Sequence, residues 1–308
     1  MNHVEKTRAH LLYVVSGLLL SSTALALEIA PRQWSHLPLG VNFAGFGYAY
    51  TEADIGFDPV LQLENVQMEK HTWVGKYVRT FELLKTSARI DIAQGYQKAR
   101  WYGLLAGLPA ETEREGLSDT FVRFAVNLYG APPLAGKEYR SYRSGKSIDT
   151  VVGLGLAVRL PTGNYLEEKL LNLGDNRFTF RPQLGFSHRR GNWSAELTAE
   201  AAFYTENDEF YGNNKLEQDP LVMAYGHLVY TLRPGLWLSA SAGVDYGGQN
   251  TIDGVDSNDR KNNIGWKLSA AYPINSRLGL KLSYLVLQTQ ESTGSDSNSL
   301  LASLTYMW

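Results

Sequence analysis

The chain ends on "SLLASLTYMW", which places Leu300, Ala302, Leu304, Tyr306 and Trp308 on one face of an extended segment and Ser299, Leu301, Ser303, Thr305 and Met307 on the other. A period of two marks a strand whose faces have different surroundings. The period recurs back along the chain. "LGLKLSYLVLQTQ" aligns Leu278, Leu280, Leu282, Tyr284 and Val286, and "NIGWKLSAAY" aligns Ile264, Trp266, Leu268, Ala270 and Tyr272 opposite Lys267 and Ser269. "GLWLSASAGVDY" gives Leu236, Leu238, Ala240, Ala242, Val244 and Tyr246; "NWSAELTAEAAFY" gives Trp193, Ala195, Leu197, Ala199, Ala201 and Phe203 against Ser194, Glu196, Thr198 and Glu200. "RFTFRPQLGFSH", "TVVGLGLAVRLP" and "DTFVRFAVNLYG" repeat the pattern, with Arg181, Arg159 and Arg123 on their polar faces.

These segments are about ten residues long, with Trp and Tyr toward their ends and Leu, Val or Ala between. A β-sandwich would turn the apolar face inward. Aromatic ends around an aliphatic middle are instead the order across a bilayer, with girdles at both interfaces. The fold expected is all-β: a transmembrane antiparallel up-and-down β-barrel of the bacterial outer membrane. Strands are expected at 41–51, 72–83, 88–102, 119–130, 150–160, 178–189, 193–204, 221–232, 236–247, 264–274, 278–290 and 299–308. That makes twelve, an even number as single-chain bacterial barrels require, with ten and fourteen left open because "HTWVGKYVRTFEL" alternates poorly.

Connector lengths support the barrel. "PINSR", "LRPG" and "RRGN" are tight turns, whereas "ESTGSDSNS", "GGQNTIDGVDSNDRKNN" and "TENDEFYGNNKLEQD" are long and polar. Short and long connectors alternate, as with short periplasmic turns and long extracellular loops. "APPLAGKEYRSYRSGKSID", residues 131–149, breaks the alternation: it is long where a periplasmic turn is due, so it either folds into the lumen or lies in the periplasm.

Lys6 and Arg8 precede an apolar run, Leu11 to Leu20, and then Ala24-Leu25-Ala26. This is the layout of a signal peptide, residues 1–26, and the run is short of the ~20 residues a spanning helix needs. Residues 27–308 are then one barrel domain, exported and placed in the outer membrane. Loss of Glu5, Lys6 and Arg8 takes 29 basic residues to 27 and 31 acidic residues to 30, so nucleic acid is not an expected partner. The absence of Cys removes disulfides and thiolate chemistry.

Several stretches resemble one family: "GVNFAGFGYAYTEADIGFDP", "HTWVGKYVRTFELLKTSARIDI", "LPTGNYLEEKLLNLGDNRFTFRP" and "DRKNNIGWKLSAAYPI". They are similar to the transporters of the meta-cleavage (MetA) pathway of phenol degradation, over essentially the whole mature chain. Glu52-Ala53 departs from the family pattern, where Gly is expected, and bears on the first loop. The resemblance implies outer-membrane passage of aromatic or hydrophobic compounds, without a defined site.

No catalytic constellation is expected. Ser187 and His188 are neighbours on a strand and point to opposite faces, and the six histidines are scattered without metal-ligand spacing. Asp253, Asp256 and Asp259 lack the glycine and terminal Glu of a calcium loop and read as a solvated loop. "GLGLAVRLPTG" lacks the context of a phosphate loop, so Gly153 and Gly155 read as space inside the barrel. No cofactor or metal is implied; the expected partners are outer-membrane lipid, the barrel-assembly machinery and a small solute.

With the apolar faces on lipid, Arg89, Asp91, Arg123, Arg159, Arg181, Glu196, Glu200, Asp245, Lys267 and Lys281 point into the lumen. Facing lipid at mid-membrane, each Arg or Lys would cost about 2–4 kcal/mol. Arg123, Arg159 and Arg181 fall on consecutive strands and form either a selectivity wall, with Glu196 and Glu200 as available partners, or a structural salt-bridge network. Leu304, Tyr306 and Trp308 fill a C-terminal pattern resembling the outer-membrane assembly signal. Two functions stay open: a channel for small, aromatic or hydrophobic solutes, and a structural or surface-interaction barrel with a plugged lumen.

Overall fold

In the computed structural model, residues 30–57 and 62–308 are described; the expected signal peptide lies outside them. Twelve antiparallel strands close a barrel: β1 (Asn42–Gly56), β2 (Leu63–Leu83), β3 (Thr86–Leu105), β5 (Thr120–Tyr129), β6 (Ile148–Leu160), β7 (Thr179–Arg190), β8 (Trp193–Tyr204), β11 (Leu221–Arg233), β12 (Leu236–Gly247), β15 (Lys261–Pro273), β16 (Leu278–Thr289) and β17 (Gly294–Met307). All twelve expected strands are present. β17 pairs with β1 from Met307↔Phe43 to Gly294↔Gly56, and Trp308 and Asn42 exchange both backbone hydrogen bonds at 3.0 and 3.1 Å. Closure therefore uses the chain to its last residue and leaves no edge inside the bilayer.

The strands obey the bilayer. Leu197, Leu238, Leu268 and Leu282 point outward and are exposed, while Glu196, Glu200 and Lys267, one step away, are buried. Aromatic pairs ring both ends: Trp193 with Tyr230 and Tyr306 with Trp308 at the short-turn end, Tyr48 with Trp73 toward the other. By the short-turn rule the first end is periplasmic.

Three features depart from the expected layout. β2 begins at Leu63 rather than at 72, well past its expected outer end, β3 ends close to its expected one, and β4 (Leu108–Leu117) pairs with the upper half of β3 only, through a tight turn at Ala106 and Gly107, both with positive φ. Two connectors read as plain polar loops fold into a small sheet of β9 (Asn207–Phe210), β10 (Asn214–Gln218), β13 (Asn250–Ile252) and β14 (Val255–Asp256). There Asp253 accepts from the Lys215 N–H, Asp256 from the Thr251 hydroxyl and Asp259 from the Asn250 N–H, so all three carboxylates are engaged in loop structure. The connector 131–149 carries a helix, α1 (Gly136–Gly145), at the short-turn end.

Candidate functional site

The residues ahead of β1 occupy the lumen. Trp34 is 1 % exposed and lies against β6 and β7, where a Cβ on Gly185 would sit 1.8 Å from its ring and one on Gly153 2.6 Å. The inward glycines are thus a seat for an indole. Trp34 Nε1 donates to Thr198 Oγ1 at 2.9 Å, and the Arg123 guanidinium stacks 4.6 Å from the ring centroid. Glu196 holds the same segment: one oxygen accepts from the Arg32 N–H (2.7 Å), the other from the Ser35 hydroxyl (3.3 Å). At the periplasmic mouth His36 lies edge-on to Tyr139 and Tyr142 of α1, with Nε2 2.8 Å from the Pro132 carbonyl oxygen. Burial pushes the His36 imidazole below its ordinary value. The helix therefore braces the plug from below.

The arginines of the polar faces are paired. Arg123 and Arg181 both stand level with Ala157, and Arg159 is one inward step higher on β6. Arg123 reaches Asp91 at 3.2 Å and donates to Gln183 Oε1 at 2.6 Å; Arg89 shares Asp91 at 3.0 Å. Arg181 pairs with Glu200, and Arg159 lies 3.8 Å from Asp175. Asp245 accepts from Asn263 at 2.8 Å. The structure thus gathers Arg89, Asp91, Arg123, Arg181 and Glu200 into one network, gives Glu196 to the plug, and leaves Lys267 and Lys281 outside both. Ser187 is buried inside the wall, whereas His188 bonds Thr150 at 2.8 Å on the outer face.

The opposite half of the wall is built from small side chains. Lys76 on β2 is level with Gly45 and Thr305, and Lys281 with Ser303, which faces Gly47. Lys76 points inward yet remains exposed, so the space beside it is open.

Over the outer mouth, the segment 161–178 places Leu170, Leu171 and Leu173 on an apolar cluster of Ile55, Val66, Met68 and Trp101. Leu170 also touches Phe210, Leu216 and Ile252 of the small sheet. Asp119 anchors the segment by accepting from the Gly163 and Asp175 N–H groups, each at 2.9 Å, and burial raises its carboxyl above the usual range. The plug, the apolar cover and the glycine seat are features of the lumen and its mouth that the strand pattern did not reveal. The unassigned space at Gly153 and Gly155 was the only trace of the plug.

A model of the family described as "Putative MetA-pathway of phenol degradation" matches residues 63–303. No curated protein matches the chain. Among solved structures, an outer membrane channel from Pseudomonas putida F1 is similar at 19% identity and TM-score 0.77, covering 91% of this chain and 100% of that one. The transport unit of the autotransporter AIDA-I from Escherichia coli matches at 10% identity and TM-score 0.51, over 95% and 98% of the two chains. These likenesses are to the outer-membrane barrel fold.

Proposed function

Because the chain belongs to the family described as "Putative MetA-pathway of phenol degradation", we propose that it is an outer-membrane channel for small aromatic or apolar solutes. The observation that carries this is the uneven lumen. The plug packs against β5–β8 and reaches Thr231 on β11, while Lys76 on β2 stays exposed beside Gly45. A barrel filled throughout would bury that lysine. The apolar cluster under the outer cover offers a first resting place for an apolar body, and the polar lumen beneath excludes a purely lipidic path.

The ten inward charged residues divide in this proposal. Arg89, Asp91, Arg123, Arg159, Arg181, Glu200 and Asp245 hold the wall, Glu196 holds the plug, Lys281 borders the solute path, and Lys267 is enclosed in the wall. Export by residues 1–26, one barrel domain over 27–308, and recognition of Leu304, Tyr306 and Trp308 by the assembly machinery belong to the same proposal. The relatives' channel name supports a transport role, and no step here calls for a catalytic group.

Liposome swelling with sugars, amino acids and aromatic acids tests the reading. Faster entry of aromatic acids than of sugars of similar mass supports it. The plug, with Trp34 almost fully enclosed, favours a second reading: a closed structural barrel. That reading requires no solute entry, even when Trp34 is replaced by Ala.

A further inference from the structure

The cavity under the outer cover is lined by polar groups that the fold leaves without partners. One wall of it is the upper part of β2 and β3, where Lys70 pairs with Ala99 and where Gln97 and Trp101 stand one inward step to either side. Lys70 is 7 % exposed and Gln97 5 %, and among the described residues neither side chain makes an ion pair or a hydrogen bond. Trp101 Nε1 is buried without an acceptor. Ala99, the smallest side chain of the row, leaves room between them. An ammonium, a carboxamide and an indole N–H thus line one cavity, all unused.

Buried donors without acceptors are uncommon because their lost hydration is not replaced. The carboxylate that lines the cavity, Asp175, does not meet the lysine; it lies 3.8 Å from Arg159. Arg177 adds a second cation to the lining. Its Nη2 donates to Gln218 and its plane stacks 4.7 Å from the Tyr204 ring centroid, while Nε and Nη1 are unpartnered. The charge of the lining therefore favours an anion. Its apolar part is the cover itself: Leu170, Leu171 and Leu173 are only half-buried and keep free surface. The centre of a water can move through about 60 Å³ of this partly open cavity, against about 10–15 Å³ for a single water. That seats a carboxylate and the near edge of a ring, with the rest of the body in the opening. A bare inorganic anion would leave the leucines unused; an organic acid covers them.

We propose that Lys70, Gln97 and Trp101 form a binding site at the outer mouth for the carboxylate of a small amphipathic acid, with Leu170, Leu171 and Leu173 over its apolar body. Lys70 supplies the charge, and the Gln97 amide and the Trp101 indole donate to the carboxylate oxygens. The site deepens the channel reading and rests on it for its role in transport, but binding itself can be measured without flux. The full chain, folded in detergent, is titrated with benzoate, with phenol as the neutral ring and acetate as the ringless carboxylate. Saturable benzoate binding is expected, tighter than either control by about tenfold or more.

Lys70→Met should weaken benzoate binding about tenfold or more, and Lys267→Met, which removes an enclosed inward lysine that lines no part of this cavity, should leave it unchanged. Gln97→Ala, expected to cost about threefold, serves where Lys70→Met does not give a heat-modifiable barrel. Phenol or acetate binding as tightly as benzoate would overturn the proposal, as would wild-type affinity in folded Lys70→Met or Gln97→Ala. If liposomes containing the protein pass no solute while the Lys70-dependent benzoate binding persists, the channel reading fails and the site stands. Solute entry without saturable benzoate binding would do the reverse.

Discussion

Replacing Gly185 by valine should unseat Trp34 and open the lumen. A Cβ at this position would lie 1.8 and 2.0 Å from two atoms of the indole, far inside van der Waals contact. The ring has little room to slide toward β6, because it already lies against the Gly153 backbone, where a Cβ would be 2.6 Å from it. Burying an aromatic ring removes roughly 150–250 Å² from water, worth about 4–6 kcal/mol at ~25 cal/mol per Å², an upper bound. The hydrogen bond to Thr198 adds about 1 kcal/mol.

Losing even a quarter of this sum, about 1.5 kcal/mol, shifts the plug's seated-to-released ratio tenfold. The strand itself gains, since valine suits a pleated wall better than glycine. Single-channel recording in planar bilayers should therefore show a heat-modifiable barrel whose mean conductance rises severalfold. Trp34→Ala should do the same by removing the anchor. Both changes act on one contact, so the double variant should match the larger single effect rather than their sum. A folded Gly185→Val barrel with wild-type conductance would refute the reasoning, and so would strict additivity with Trp34→Ala.

Three further outcomes are expected. Deleting Trp308, which exchanges two backbone hydrogen bonds with Asn42, should lower the heat-modifiable barrel in outer-membrane fractions while signal cleavage continues; undiminished folded barrel would count against a closing role. His36 has its pKa lowered by burial below the free value of 6.5, so its neutral form's contribution is whole above that pH and is lost as pH falls below it. Plug opening, read as current noise, should rise from pH 7 to pH 5 and lose that dependence in His36→Gln. Arg181→Gln strips the buried Glu200 of its guanidinium, which should cost about 3 kcal/mol of barrel stability in a urea titration. Anion-to-cation preference should shift toward cations, because the pair is neutral and loss of the guanidinium leaves the Glu200 carboxylate uncompensated.

The strands were legible because lipid imposes one rule on every outward position from Phe46 to Tyr306. Where that rule stops, legibility stops as well. β4, "LPAETEREGL", stands above the bilayer, touches lipid with neither face and so shows charge on alternate positions without an apolar stripe. The small sheet is built from segments as short as Val255–Asp256, below the length at which a period can be read. The plug, around "RQWSHLPL", has no regular hydrogen-bonding partner and hence no period; its seat is written elsewhere, in Gly153 and Gly185, and in the sequence a missing side chain does not name what fills the space. Parity placed Lys267 and Arg181 on the same inward surface, but only the strand heights show that Arg181 meets Glu200 and Lys267 meets no carboxylate.

The two halves of the wall follow from one constraint. A segment that enters the barrel from below must satisfy its own backbone and side-chain donors in a space with little water, so the wall it touches needs carboxylates and hydroxyls at matching heights. Glu196, Thr198 and the Asp91–Arg123 pair provide them on β3, β5 and β8. Those charges are expensive to bury and are tolerable only while paired. The segment reaches the other half at Thr231 and Trp237 through Arg32, and there Gly45, Gly47, Ser269 and Ser283 keep the wall thin. A lysine there has no role in holding the plug and no carboxylate to hold it. Among the described residues, inward lysines without a carboxylate partner, Lys70, Lys76, Lys267 and Lys281, therefore lie on β2, β15 and β16, away from the strands that hold Trp34.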